Sequence, residues 1–496
     1  MHLKRIVVLL SVLVGVGAIG MNSTGFSLAQ ETTAFLPADL LFTIPHPSEN
    51  NSWTEADDRL MRVDAQTGQI RPFYIEQAPV GQLWALSWSP QGDRLAFLRT
   101  YPDPEARFFP RELCILDRDG QLQGCMEDRP PMYLAYSGED RDYEVVWSDD
   151  GERLYFSAER DISATASDRV IVEADVSTGK TLRTLYTYSY DPDLGQISSA
   201  LAWSPHPDTV LVGGGDTWGN REVMHAPVML VDLATGRETH IPALLPEHMT
   251  LGYVCPHFSP RGTYVSLYAS YNLDAYNPWG LPTLMHNFYQ LLLMDKGGRV
   301  LARLAEPTDE GFIQFWGCPT WEPDEQAFYV VGSQNGNGAS TVFRYELATQ
   351  QLTEYVSGDV VPPLKLSPTG GYLAFMAPLA IGASGQLVTR VLTPTGEIIT
   401  FPEFAYAPFP VWVPPTLEAG RQARVHVLNE DALSVRAGPG LDFAIQERLE
   451  DGALVDVLEG PERADGYEWW RVRTPSGAEG WVVQTADGVR TLQVVP

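Results

Sequence analysis

Aromatic rings, amides and a few cations gather on the long irregular segments of this 496-residue sequence. Trp53 and Tyr101 stand on two of them, and Trp218, Asn220 and Arg221 on a third. Tyr271, Tyr276 and Trp279 stand on a fourth, and Asn335 on a fifth. Flat apolar faces beside fixed amide donors suit a sugar ring, a polyol or a peptide. The same rings would serve equally well to order the segments that carry them. Asp216 and Asp274 fall on these segments too, but glycoside hydrolysis needs two carboxylates at a defined separation. The chain has no Gly-x-Ser-x-Gly elbow, no Cys-x-x-Cys and no His-x-x-x-His. The expectation is therefore no metal, no cofactor and no catalytic residues.

Residues 1–29 have the pattern of a secretory signal. Lys4 and Arg5 precede the apolar run Ile6–Ile19, and Ser27-Leu28-Ala29 has small residues where cleavage occurs. The run is too short to span a bilayer, and no membrane span is expected after cleavage. A secreted or extracytoplasmic location follows, which puts the four cysteines in an oxidising setting. Cys114 and Cys125 flank the turn at Asp119-Gly120 and could face each other across two strands. Cys255 and Cys318 hold equivalent places in successive repeats and could bridge neighbours.

The elements that would position these residues repeat. Trp88-Ser89-Pro90 is followed by a turn at Gln91-Gly92 and an apolar strand. The pattern returns at Trp147-Ser148-Asp149, Trp203-Ser204-Pro205, Phe258-Ser259-Pro260, Trp321-Glu322-Pro323 and Leu366-Ser367-Pro368. The spacing is roughly 45 to 63 residues, in the range of propellers and arrays. A third strand ends in a tight turn such as Ala234-Thr235-Gly236, and a polar fourth strand follows. Four hairpin-linked strands per unit make the blade of a β-propeller. Leu40-Leu41-Phe42 matches a second strand that lacks a first. Val411-Trp412-Val413 matches a first strand that lacks a second. Pairing them completes a seventh blade, closes the ring and removes a sheet edge.

These Trp-Ser-Pro-x-Gly repeats resemble the WD40-like propeller repeats of TolB-type periplasmic proteins. After a polar stretch at 416–424 the pattern changes. Leu433-Ser434-Val435-Arg436-Ala437-Gly438-Pro439-Gly440, Trp469–Val472 and Gly480-Trp481-Val482 resemble the bacterial SH3-like (SH3b) domain. That resemblance implies a small barrel able to contact cell-wall peptidoglycan or peptides. Its candidate surface residues are Arg436, Asp442, Phe443, Tyr467 and Trp470.

The fold expected is all-β: a seven-bladed β-propeller at 30–415, a linker at 416–424 and an SH3-like domain at 425–496. A formal net charge of −29 argues against nucleic acid or anionic lipid as a partner. Asp117-Arg118-Asp119-Gly120 and Asp191-Pro192-Asp193 contain only fragments of a calcium loop. The expected function is an exported, non-enzymatic binding or scaffold protein. Its long second-to-third connections would recognise a glycan, peptide or protein, and its SH3-like domain would contact cell wall or a partner. The alternatives are a carbohydrate-active hydrolase and a structural subunit of an envelope complex.

Overall fold

The computed structural model describes residues 36–44, 59–76, 82–100, 111–129, 145–148, 150–163, 166–187, 190–191, 195–196, 199–205, 208–213, 229–240, 249–250, 257–272, 287–304, 311–334, 340–358, 360–368, 370–378, 387–401, 410–427, 432–486 and 489–495. Their regular elements are all strands. Seven antiparallel sheets form the blades of a β-propeller, and an eighth, seven-stranded sheet forms the C-terminal domain.

The second blade shows how one unit is built. Gln82–Trp88 pairs with Arg94–Thr100, which pairs with Arg111–Asp117, which pairs with Leu122–Cys125. The Ser-Pro-x-Gly turn is organised by its serine. Ser89 N–H donates to the Arg94 carbonyl at 2.7 Å, and Gly92 N–H donates to the Ser89 carbonyl at 2.8 Å. The Ser89 hydroxyl accepts from Arg94 N–H at 3.1 Å and donates to Asp93 at 2.6 Å. Ser148, Ser204 and Ser259 repeat the backbone bond, and all of these serines are buried. In the sixth blade Glu322 stands in the serine's place. Its carboxylate accepts two bonds from Arg344 and one from the Tyr329 hydroxyl. Glu325 occupies the glycine slot there with φ 61°, and its carboxylate accepts a bond from Arg261 N–H of the fifth blade. That bond helps to hold a backbone conformation that side chains otherwise avoid.

The ring closes as the tandem pattern requires. Leu40 pairs with Trp412 and Leu41 with Val411, so the first blade takes strands from both ends of the propeller. Val413 N–H adds a bond to the Asp39 carbonyl at 2.8 Å. Alternation along the closing segment then splits its side chains. Trp412 packs with Leu40, Phe42, Ala374 and Val391 on the seventh-blade side, and its indole donates to the Lys365 carbonyl at 3.0 Å. Val411 and Val413 pack with Leu83, Leu95 and Phe97 on the second-blade side. Arg118 fastens the exit, donating to the carbonyls of Gly92 and Pro414.

The tight turns between third and fourth strands use a carboxylate as a local cap. The Thr67 hydroxyl on Asp64, the Ser177 hydroxyl on Asp175 and the Thr235 N–H on Asp232 hold these carboxyls below the usual range. Asp117 spends its oxygens the same way, on Asp119 N–H, Gln121 N–H and the Gln123 amide. This segment is therefore a turn, and the calcium-loop resemblance ends there. Asp191 lies in a two-residue strand paired with Gly195–Gln196, and its neighbours 192–194 lie outside the described residues.

The C-terminal sheet corrects one boundary. Gln422–Val425, placed in the expected linker up to residue 424, is a strand between Leu454–Ala464 and Leu492–Val495. Leu417 is buried in the same core. The stretch Gln-Ala-Arg-Val looks polar because its outward residues are charged or amide, while Ala423 and Val425 point inward.

Two outcomes follow from this construction. Trp412→Ala should destabilise the chain by about 3–5 kcal/mol in urea unfolding, as for other buried tryptophans, whereas Leu182→Ala on an outer strand should stay within about 0.5 kcal/mol. Gly120 and Gly236 both have positive φ. A Cβ on Gly120 would lie 1.9 Å from the Phe73 carbonyl oxygen of the first blade, but one on Gly236 meets nothing. Gly236→Ala should cost about 1–2 kcal/mol for the backbone alone, and Gly120→Ala clearly more, read from the same unfolding midpoints.

Candidate functional site

Two faces of the propeller differ. The Ser-Pro turns and the tight outer turns lie on one. The long connections leave from the other, after strand ends such as Ile44, Thr100, Gly213, Asn272, Gln334 and Pro378. Trp53, Tyr101, Trp218, Asn220, Arg221, Tyr276, Trp279 and Asn335 lie outside the described residues. Tyr271 lies within Tyr264–Asn272, where its backbone pairs with Met249 and Phe288.

What the structure adds at these strand ends is a set of buried polar side chains. Strand ends beneath the long connections bury Thr43, Thr100, Gln314, Ser333 and Thr389. The hydroxyls of Thr43, Ser333 and Thr389 and the Gln314 carbonyl oxygen have no hydrogen-bond partner among the described residues. Buried polar groups are normally paired, so each of these atoms is a place where water or another polar group can bond. The signal in the sequence was one polar residue near the end of an otherwise apolar strand, as in Leu-Leu-Phe-Thr-Ile.

On the opposite face the axis opens into a shallow cavity of about 340 Å3. Three successive inner strands line it with equivalent residues: Trp88 and Pro90, Leu366 and Pro368, Trp412 and Pro414. The SH3-like domain emerges beside it. Asp451 of that domain approaches Arg261 in the Ser-Pro turn of the fifth blade at 3.9 Å and accepts Val427 N–H at 3.1 Å. A single exposed ion pair contributes about 0–1 kcal/mol, so covalent attachment through the closing strand is the main tie.

Cys114 and Cys125 form a disulfide between facing strand positions with Cα atoms 3.9 Å apart, as the turn spacing suggested. Glu112 is near both sulfurs, but bonded sulfurs offer no thiolate to a metal. Cys318 is also disulfide-bonded. Cys255, its expected partner, lies outside the described residues.

In the SH3-like domain one expected surface residue is internal. Trp470 is 4% exposed and its indole donates to the Gln484 side chain at 2.5 Å. Its neighbour Trp469 is buried as well, its indole donating to the Ala464 carbonyl at 3.0 Å. Tyr467 is half-buried, edge-on to Trp469. Asp442 and Phe443 are exposed, and Arg436 runs beneath them. Its guanidinium donates to the carbonyls of Leu441 at 2.7 Å and Phe443 at 2.8 Å. Asp465 accepts Leu441 N–H at 2.7 Å from the other side. Leu441, Ile445 and Asp465 were missed because Leu441, Phe443 and Ile445 alternate like a core-facing strand. Arg436→Ala should cost about 1–2 kcal/mol and raise hydrogen exchange across 441–445 while leaving strand 454–464 protected. Arg436→Lys should restore little, since one ammonium does not reproduce the fork.

Residues 431–486 match the family model described as Bacterial SH3 domain. No curated protein matches the chain. Among solved structures the chain is similar to TolB from Acinetobacter baumannii, at 14% identity and a TM-score of 0.39 over 72% of this chain and 79% of that one. It is similar to the β-propeller domain of the Trilobed protease from Pyrococcus furiosus, at 12% identity and a TM-score of 0.40 over 84% and 98%. It is also similar to an oligogalacturonate lyase in complex with manganese, at 15% identity and a TM-score of 0.42 over 64% and 75%. The chain is a seven-bladed propeller resembling TolB and other propeller proteins, followed by a bacterial SH3 domain.

Proposed function

We propose that this is an exported, non-enzymatic adaptor. Its propeller recognises a glycan, peptide or protein across the long-connection face, and its SH3 domain holds the cell wall or a partner protein. A propeller joined to such a domain fits a binding or scaffold protein. The observation that carries the finer reading is the division of the two faces. The SH3 domain leaves from the short-turn face through Pro414, beside Arg261. The buried polar atoms without a partner among the described residues lie at the opposite strand ends. In this reading one side of the disc is tethered and the other faces ligand, so neither contact obstructs the other. The aromatics and amides of the long connections would supply stacking and hydrogen bonds there.

Export predicts a mature protein that starts at Gln30, which mass spectrometry of the secreted chain checks. The purified mature chain should sediment with purified bacterial cell wall. Protein that stays wholly in the supernatant would remove the wall-binding half of the proposal. A glycan and peptide array should show binding that is lost when Trp218 and Trp279 are both changed to Ala.

A further inference from the structure

We infer that strand Ile445–Leu449 and the ridge leading into it form a docking edge for an extended peptide with alternate apolar residues and basic flanks. The inference rests on the proposed contact role of the SH3 domain and narrows its partner to a protein segment. Among the described residues Ile445–Leu449 is the end strand of its sheet, paired only with Leu433–Arg436. The outward half of its backbone N–H and C=O groups meets no further strand among them, which is the template for strand addition.

Leading into that edge, Leu441, Phe443 and Ile445 are 48%, 45% and 42% exposed. They are three of the eleven exposed large apolar side chains among the described residues, and they fall within five positions. Scattered single apolar residues are ordinary on a surface, but a contiguous group marks an interaction site. This group is also built. Arg436 and Asp465 hold the backbone from two sides. The Phe443 ring lies against Gly438, where a Cβ would come within 2.5 Å of it. Ordering this loop costs conformational entropy, and the result displays apolar groups to water rather than burying them. The other end strand of the sheet, Leu492–Val495, carries none of the exposed large apolar side chains, and Leu492 is buried.

Charge selects the peptide. Asp442 and Glu450 are exposed beside the ridge, and Glu447 stands on the strand itself. Arg448 is the strand's cation, and Arg436 is turned onto carbonyls. An acidic border favours lysine or arginine on either side of the apolar residues and disfavours acidic segments. The occupant is therefore a strand with apolar residues at every second position, flanked by basic ones.

The test uses the full mature chain and a fluorescent peptide Lys-Lys-Val-Thr-Val-Thr-Val-Lys-Lys. Saturable binding by anisotropy is expected. It should weaken about tenfold or more in Leu441→Ser/Ile445→Ser, with the melting temperature unchanged. Asp442→Lys, a surface change, should weaken it as well. N-methylation of alternate peptide bonds should abolish it, because strand addition needs those donors. Absence of binding up to about 1 mM, or binding indifferent to N-methylation, would overturn the inference. Cell-wall sedimentation is measured in parallel: a chain that sediments with wall but ignores the peptide sinks this inference and leaves the adaptor reading standing.

Discussion

The ring depends on a very short pairing. Two residue pairs, Leu40 with Trp412 and Leu41 with Val411, join segments about 370 positions apart in the chain. Backbone bonds this few contribute only about 1 kcal/mol each, so pairing alone would not hold a seven-bladed disc shut. What holds it is that alternate side chains of the closing segment enter two different interfaces. Trp412 enters the contact with the seventh blade, and Val411 and Val413 enter the contact with the second. Opening the ring would expose both clusters at once, and burial of apolar area is the dominant favourable contribution to folding.

The same segment sets the position of the second domain. Arg118 reaches from the second blade to the carbonyls of Gly92 and Pro414. The next residues run straight into the SH3 core through Leu417 and Gln422–Val425. With no long spacer, closure of the disc and placement of the SH3 domain are mechanically linked. A load on the SH3 domain would act along the closing strand, against the packing of Trp412.

The repeat was legible because each turn depends on residue chemistry. A serine that accepts its own turn's N–H, a proline that ends the strand and a glycine at positive φ leave a signature that packing cannot disguise. The exception keeps the same geometry: Glu325 stands where other repeats have glycine, and it adopts that glycine's conformation. The linker was misplaced for the opposite reason. A short strand such as Gln422–Val425 shows polar residues on its outer face, and only its pairing partners reveal the inner one. Trp470 was misjudged because two adjacent tryptophans on one strand point to opposite faces, and spacing does not show that both faces are covered here. Four unpaired polar atoms beneath the long connections had no signature beyond isolated threonines, a serine and a glutamine in apolar strands.

The surplus of negative charge fits this division of labour. A formal charge of −29 over the whole chain repels anionic surfaces at range, which leaves neutral or basic partners held by short-range shape, hydrogen bonds and local charge. The described surface supplies those in two places with different chemistry. The propeller offers buried hydroxyls and an amide oxygen at its strand ends that have no partner among the described residues. The SH3 edge offers apolar side chains and backbone groups suited to an extended chain. Because the domain leaves from the short-turn face, contact there leaves the strand ends beneath the long connections geometrically free.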